Sequence, residues 1–319
     1  MGSVRVGTSG WSYAGWRGDF YPEGLPRREE LAYLAGELTS VEINGSFYSL
    51  QRPSSYASWR DQTPDDFVFA VKGGRFITHM KKLRGGEAPL ANFFASGVLA
   101  LGAKLGPVLW QLPETVAYDD GLMRDFYDLL PRTTAEASAL ASRHDDRLSG
   151  DRVLTAYDQD RPIRHVLEFR HRSFCADAAL EQMREHDIGC VVSDSAGRWP
   201  QAEAVTSDVV HVRLHGDTEL YTSGYTPAAL DRWAGKCQAW AEHADVFVYF
   251  DNDAKVRAPF DAAGLARRLD VQWSAEPMAT PDLTHAGEPP RESWPAVRRV
   301  RKKVSSAKDA KGREGKTKA

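Results

Sequence analysis

Short hydrophobic strands that end in polar residues recur along this chain, and this pattern constrains its fold most. The clearest case is SVEINGSFY, residues 40–48, where Glu42 and Asn44 lie two residues apart. Successive strand side chains point to opposite faces, so these two polar groups share one face while Val41 and Ile43 share the other. An acid on a buried face is costly unless it is paired. Other strands of this kind end at Lys72, at Gln111, at Glu168 with Arg170, at Asp194, at Arg213 with His215, and at Asp251.

Strand patterns and helical patterns alternate nearly eight times within residues 1–270. This alternation predicts an α/β fold, a TIM-like (β/α)8 barrel whose C-terminal strand ends meet at one polar mouth. A doubly wound open sheet is the competing fold, and it is disfavoured because no strand leads into a GxGxxG turn. The sixth predicted strand, residues 188–193, is followed by Arg198, Trp199 and Pro200, which are typical of a loop. The sixth helix is therefore predicted to be partly missing.

Two helices are predicted from patterns other than strand alternation. Phe94, Val98, Leu101 and Leu105 follow helical spacing and predict one continuous helix after the third strand. The alanine-rich stretch TTAEASALASRHDD, residues 133–146, predicts an additional helix packed outside the barrel.

The charge of the chain is distributed unevenly. The formal net charge is −3, but ten of the 41 Lys and Arg residues and only two of the 44 Asp and Glu residues lie in residues 298–319. The body is therefore acidic and the tail strongly basic. We predict one barrel domain over residues 1–270 and a Pro/Lys/Arg-rich tail over 271–319, disordered past about residue 294. A basic tail is typical of a nucleic-acid-binding arm or of a merely solubilising end.

The sequence also indicates where the protein resides. No run of about 18 apolar residues is present, so no membrane span is expected. The N-terminus lacks the apolar core of a signal peptide. Three separate cysteines without a CxxC motif are typical of reduced thiols. These observations predict a cytoplasmic protein. The chain also lacks a Walker loop, HExxH and GxSxG, and no cofactor is predicted.

Seven stretches resemble one known family. The chain is similar to the YecE-like family, also called domain of unknown function 72, through the stretches GTSGWSYAGWRGDFYP, SVEINGSFY, FVFAVKGGRFITH, LGPVLWQLP, VLEFRHRSF, VVHVRLHG and VFVYFDND. They cover the chain in order from residue 4 to 269. The resemblance implies a TIM-like barrel and a cytoplasmic prokaryotic protein, and it implies no established activity. The usual family form has Asn where this chain has Asp251.

The residues at the strand ends suggest roles in a shared site. Glu168 and His215 are candidates for acid–base chemistry, with Glu42 and Lys72 as further catalytic candidates. Lys72 and Arg213 also suit anionic groups of a substrate. The candidate substrate-binding residues are Asn44, Gln111, Arg170, Asp194, Arg213, Asp251, Trp11 and Tyr48. The alternative for the whole set is a network of ion pairs that only closes the barrel.

Three functions remain open at this point. The first is an enzyme or binding protein acting on a small anionic or polyhydroxylated molecule at the barrel mouth. The second is nucleic-acid binding, with help from the basic tail. The third is a metal-dependent phosphodiester hydrolase of the endonuclease-four type, although only His215 is well placed as a nitrogen ligand and no metal is predicted. Lys255 and Arg257 additionally precede a helix, where barrels often hold phosphate.

The position of Glu42 gives a sharp test of the barrel. If the fold is correct, Glu42 and Asn44 lie in the lumen, and Val41 and Ile43 pack outward against helices. A buried Glu needs a cationic partner, and Lys72 on the adjacent strand is the predicted one.

Overall fold

Eight parallel strands form a closed barrel in the chain order β1 to β8 in the computed structural model, which describes residues 2–271. Each strand pairs with its sequence neighbours, and β8 pairs with β1 to close the sheet. The predicted TIM-like barrel is therefore confirmed. The strands are β1 (Val4–Ser9), β2 (Ser40–Ile43), β3 (Val68–Lys72), β4 (Leu105–Gln111), β5 (His165–Glu168), β6 (Ile188–Asp194), β7 (Val209–Leu214) and β8 (Asp245–Phe250).

Helices cover the outside of this barrel. Between β6 and β7 all residues are described and none is helical, which confirms the partly missing sixth helix. The alanine-rich stretch forms the predicted additional helix, and Thr133 caps it by accepting the Glu136 backbone N–H. The helices are α1 (Glu30–Glu37), α2 (Gly45–Tyr48), α3 (Pro53–Asp61), α4 (Glu87–Ala95), α5 (Asp120–Asp128), α6 (Thr134–Ala141), α7 (Asp177–Glu185), α8 (Pro227–Ala241) and α9 (Ala258–Arg268).

Alternation along the strands separates two apolar regions. The larger one lies between the sheet and the helices and contains Val41 and Ile43. A smaller one fills the lower part of the lumen. Glu42 is fully buried and faces the lumen, so the predicted register of β2 is confirmed. The residues of the smaller cluster are Ala70, Leu109, Val166, Val191, Val209, Phe247 and Tyr249.

The single helix predicted from Phe94 to Leu105 is wrong. The α-helix α4 ends at Ala95, and a separate 3-10 stretch spans Val98–Lys104. Gly97 breaks the helix with a φ of 115°, a conformation that side chains other than glycine rarely adopt. A Cβ at this position would lie 2.4 Å from the Pro53 Cα, so the helix has to end where α3 passes.

The basic tail lies outside the described residues. The predictions for residues 272–319, including their disorder and nucleic-acid binding, therefore stay predictions. In residues 2–271, no helix combines the length and apolarity that crossing a membrane requires.

Candidate functional site

Arg213 on β7 organises the upper lumen. Its side chain is 1% exposed, and the guanidinium forms a two-point ion pair with Glu42 of β2. Nη2 donates to Glu42 Oε1 at 2.9 Å and Nε donates to Oε2 at 3.1 Å. Such parallel N–H···O bonds fix the orientation of both side chains. The predicted Lys72 partner of Glu42 is therefore corrected, because no hydrogen bond or ion pair joins the two among the described contacts.

Two further carboxylates complete the surroundings of Arg213. Nη1 donates to Glu168 Oε2 at 2.8 Å, and Nη2 donates to Asp251 Oδ2 at 3.2 Å. His215 lies between these acids, with Nε2 3.7 Å from Glu168 Oε1 and Nδ1 3.0 Å from Asp251 Oδ2. One arginine therefore bridges three carboxylates, two on β2 and β5 and one directly after β8.

A histidine that was not a predicted candidate belongs to the same network. His211 is fully buried, and its Nε2 lies 3.4 Å from Glu42 Oε2. In the stretch VVHVRLHG on β7, every second residue from His211 is polar, namely His211, Arg213 and His215. Since strand side chains alternate with a period of two, the sequence itself places these three on one face. Burial lowers the pKa of His211, because a charged imidazole is poorly solvated in the lumen.

The network holds its carboxylates ionised. Burial alone would raise the pKa of Glu42, but the charge of Arg213 and the His211 contact hold it below its usual range. The pKa of Glu168 is likewise low, since Arg213 outweighs the effect of burial. Both groups are therefore ion-paired carboxylates at neutral pH.

A cavity of about 560 Å³ opens above this network at the C-terminal ends of the strands. Seven residues of the predicted set line the cavity, namely Asn44, Tyr48, Lys72, Gln111, Arg170, Arg213 and Asp251. Glu42, Glu168 and His215 lie beneath it, with side chains that are 0% exposed. The floor of the cavity therefore consists of Arg213 and Asp251, which cover the remaining members of the network.

The cavity is rich in positive charge. Lys72, Arg75, Arg170 and Arg213 line it, against Asp251 as the carboxylate. The Arg170 guanidinium lies 3.6 Å from the centroid of the Trp199 ring, a cation–π contact that fixes its plane. Its Nε and Nη2 both donate to Glu168 Oε1 over long distances of 3.4 Å.

Lys72 at the end of β3 is nearly enclosed by protein. The residue is 8% exposed, and Nζ lies 4.8 Å from the centroid of the Phe47 ring. Burial, helped by the charge of Arg213, lowers the pKa of Lys72 from 10.5 to about 8. A substantial fraction of this amine is therefore uncharged slightly above neutral pH.

Several cavity residues were missed from the sequence because they lie in irregular segments. In the basic segment after β3, His79 lies in the π-helical turn Phe76–Met80 and Arg75 directly precedes this turn, while Tyr221 lies in the loop after β7. Burial, followed by the charges of Arg170 and Lys72, lowers the pKa of His79 to about 4, so its imidazole is neutral at pH 7. The aromatic first loop contributes Tyr13 rather than the predicted Trp11.

Two predicted site residues lie elsewhere. Asp194 points out of the lumen, where its Oδ2 accepts a hydrogen bond from the Tyr225 hydroxyl at 3.1 Å. The lumen residue of β6 is Ser193, which pairs in register with Arg213. Trp11 packs edge-on against Trp59, with ring centroids 5.3 Å apart. Neither Asp194 nor Trp11 lines the cavity.

The remaining charged candidates have other contacts. Arg257 is fully buried and its Nη2 lies 3.5 Å from Asp261 Oδ1, so it is not open to an external phosphate.

Within residues 2–271, no three His, Cys, Asp or Glu side chains converge as metal ligands do. The Arg213 guanidinium occupies the space between Glu42, Glu168 and Asp251, and Asp194 points away.

Comparisons with known proteins agree with this architecture. In the UPF0759 protein YecE of Escherichia coli K12, 31% of residues are identical over 112 residues, which cover 35% of this chain and 38% of that protein. The matched part of this chain thus spans about two fifths of the length of that relative. The UPF0759 protein YunF of Bacillus subtilis is 22% identical over 304 residues, covering 85% of this chain and 96% of that protein.

Solved structures show the same fold. A DUF72 family protein from Thermotoga maritima superimposes with a TM-score of 0.66 at 24% identity, over 84% of this chain and 99% of that one. Another from Enterococcus faecalis gives 0.67 at 16% identity, over 85% and 97%. The family model described as "Protein of unknown function DUF72" matches residues 5–284. This chain, with its closed barrel and its arginine-centred lumen, therefore belongs to the DUF72 family.

Proposed function

We propose that this protein binds a small anionic, hydroxyl-bearing molecule at the C-terminal mouth of the barrel and acts on it by acid–base chemistry. The observation that carries the proposal is the group of three cationic side chains, Lys72, Arg75 and Arg170, that line the cavity in addition to Arg213, whose charge is matched by Glu42, Glu168 and Asp251. Charges of one sign that are gathered around a cleft attract anions more strongly than single charges spread over a surface.

The free hydrogen-bonding groups support an anionic ligand with hydroxyl groups. Among the described residues, Arg75 forms no ion pair, and Asn44 Oδ1 is buried without a hydrogen-bond partner. A guanidinium suits a phosphate or carboxylate, and an amide oxygen suits a hydroxyl donor. A volume of about 560 Å³ lies within the usual range for small-molecule sites.

Asp251 is the acid–base group that reaches the ligand. Its side chain is 20% exposed, whereas Glu168 and His215 are fully covered. His215 Nδ1 lies 3.0 Å from Asp251 Oδ2, so the histidine lies directly against this carboxylate from below. Glu168 and His215, which were the leading candidates from the sequence, are in this proposal positioning residues.

The test is calorimetric titration with inorganic phosphate, citrate and glucose 6-phosphate, with glucose as the neutral control. We expect at least one of the anions to bind, and the double variant Arg75→Gln with Arg170→Gln to bind it at least tenfold more weakly. Arg184→Gln is the matched control, because Arg184 pairs with Glu181 on exposed α7. Absence of anion binding, or equal affinity in the double variant and the control, overturns the proposal.

A further inference from the structure

The basis of this inference is a contrast between two buried lysines. Lys72 and Lys104 are each 8% exposed. Lys104 Nζ donates hydrogen bonds to the Arg60 and Thr63 carbonyls, each at 2.7 Å, and to Thr63 Oγ1 at 3.2 Å. Lys72 Nζ has no hydrogen bond and no ion pair within the described part of the chain. The Lys104 amine is thus hydrogen-bonded within the fold, whereas the Lys72 amine is not.

The position of Lys72 is unusual for a structural residue. Although the residue is only 8% exposed, Nζ is not one of the unpartnered atoms that are sealed from solvent in the described part of the chain, so the amine is open to the cavity. Its Nζ faces the mouth cavity beside the Phe47 ring, in the company of Arg75 and Arg170. These arginines can hold an anionic group while leaving the amine free to meet a neutral part of the same molecule.

We propose that Lys72 is the nucleophile that forms an imine with a small aldehyde or ketone carrying an anionic group, bound in the mouth cavity. This inference rests on the proposed function and names its substrate class. The lowered pKa agrees with it, because a neutral amine is the form that attacks a carbonyl carbon.

The chemistry balances without an external reagent. Nζ forms a bond to the carbonyl carbon while the C=O double bond becomes single, and one amine proton moves to the oxygen. A second proton from solvent lets that oxygen leave as water, which gives a protonated imine. His79 lines the same cavity and is neutral at pH 7, so its imidazole can accept a hydrogen bond from the amine or from the new hydroxyl group while solvent carries the proton.

The experiment uses pyridoxal 5′-phosphate as the probe, because it joins an aldehyde to a phosphate and its imine absorbs visible light. The full-length protein is incubated with the probe, reduced with borohydride and mapped by peptide mass spectrometry. We expect saturable labelling at Lys72, at least tenfold faster than at Lys104, with a rate that reaches half its maximum near pH 8. Inorganic phosphate should protect Lys72, and pyridoxal, which lacks the phosphate, should label it more slowly.

Two variants separate reactivity from folding. Lys72→Arg keeps the charge and Lys72→Met keeps the length, and both lack the reactive amine, so both should lose the saturable absorbance while the far-ultraviolet spectrum is unchanged. Peptide mapping of the unaltered protein tests the inference even if both variants unfold. Labelling of Lys72 no faster than that of Lys104 overturns the inference. If anions still bind by calorimetry in that case, the proposed function survives, and if they do not, both fail.

Discussion

Arg213 on β7 and Glu42 on β2 form a fully buried two-point ion pair across the lumen, with N–O distances of 2.9 and 3.1 Å. Glu168 and Asp251 share the same guanidinium. Removing one member of a buried charge network leaves the others without compensation, and this costs far more than an exposed pair contributes.

Replacing Arg213 with Met should therefore destabilise the fold by about 3–5 kcal/mol, because the fully buried Glu42 and Glu168 and the part-exposed Asp251 lose their cation. Glu42→Gln should cost less, since Arg213 keeps Glu168 and Asp251. Arg124→Met is the control, because Arg124 forms a solvent-exposed pair with Asp120 that contributes little to stability. Urea unfolding at pH 7 measures all three. A loss below about 1 kcal/mol for Arg213→Met contradicts the structural role of the network.

Replacing Lys72 with Met should have the opposite effect at pH 7. The pKa of Lys72 is lowered to about 8, so the folded protein holds this proton more weakly than the unfolded chain does. Each pKa unit corresponds to about 1.4 kcal/mol, and Lys72→Met should stabilise the fold at pH 7 by about 3 kcal/mol at most.

The pH dependence of this effect has a defined sign. Between pH 8 and 10.5 the unfolded chain binds more protons at Lys72 than the folded protein, so the unaltered protein gains stability there relative to the variant. The measurement is the difference in unfolding free energy between the two proteins at pH 7 and pH 10, which cancels the other titrating groups. A difference that does not change with pH shows that Lys72 carries no penalty.

The fold was predictable because strand alternation is a local property. Glu42 faces the polar lumen and Ile43 faces the apolar layer between strands and helices. Once β2 is recognised as a strand, alternation along the chain assigns each residue to its face. The partner of Glu42 was not predictable in the same way. Lys72 is on the adjacent strand, but the contact is made by Arg213, whose long planar side chain reaches across the lumen. Contacts across a barrel depend on strand tilt and stagger, which a sequence pattern does not contain.

The errors in the candidate site have equally specific causes. The predicted sixth strand ended at residue 193, and Asp194 was assigned to the mouth as the polar residue after it. β6 continues through Asp194. Because side chains alternate between the two faces of a strand, Ser193 points into the lumen and Asp194 points away from it. Arg75 and His79 belong to a single π-helical turn and the residue before it, a segment too short for a sequence period to indicate direction.

His165 should make stability fall as the pH decreases. It is fully buried, its Nδ1 accepts the Trp110 indole N–H at 3.1 Å, and its Nε2 lies 2.7 Å from the Pro131 carbonyl oxygen. Burial lowers the pKa of His165 from 6.5 to about 3, so between these values the unfolded chain binds a proton that the folded protein does not. Stability is then lost as the pH falls through this window, by about 1–2 kcal/mol from pH 6.5 to 5.

The readout for His165 is the slope of unfolding free energy against pH between 5 and 6.5. His165→Gln should have a shallower slope than the unaltered protein, whatever its absolute stability. His243→Gln is the control, because the His243 side chain is 83% exposed and should leave the slope unchanged. Identical slopes in all three proteins would show that His165 does not stay neutral on folding.

Gly73 and Gly74 follow β3 and offer a matched pair of substitutions. A Cβ on Gly73 would lie 2.3 Å from Trp110 Cε3, whereas the nearest atom to a Cβ on Gly74 is the Ser46 carbonyl oxygen at 3.8 Å. Trp110 cannot easily move, because it is fully buried and its ring packs against those of Phe93 and Phe126. Gly73→Ala should therefore destabilise by about 1–3 kcal/mol, and Gly74→Ala by less than about 0.5.

The same substitution tests how the cavity depends on this approach of backbone to tryptophan. Gly73 lies between Lys72 and Arg75, so a displaced backbone at Gly73 moves two of the cationic side chains of the mouth. Gly73→Ala should then weaken phosphate binding in calorimetry at a temperature where the variant is still folded, while Gly74→Ala should bind as the unaltered protein does. If Gly73→Ala keeps both full stability and full affinity, the contact between Gly73 and Trp110 does not set the position of the loop.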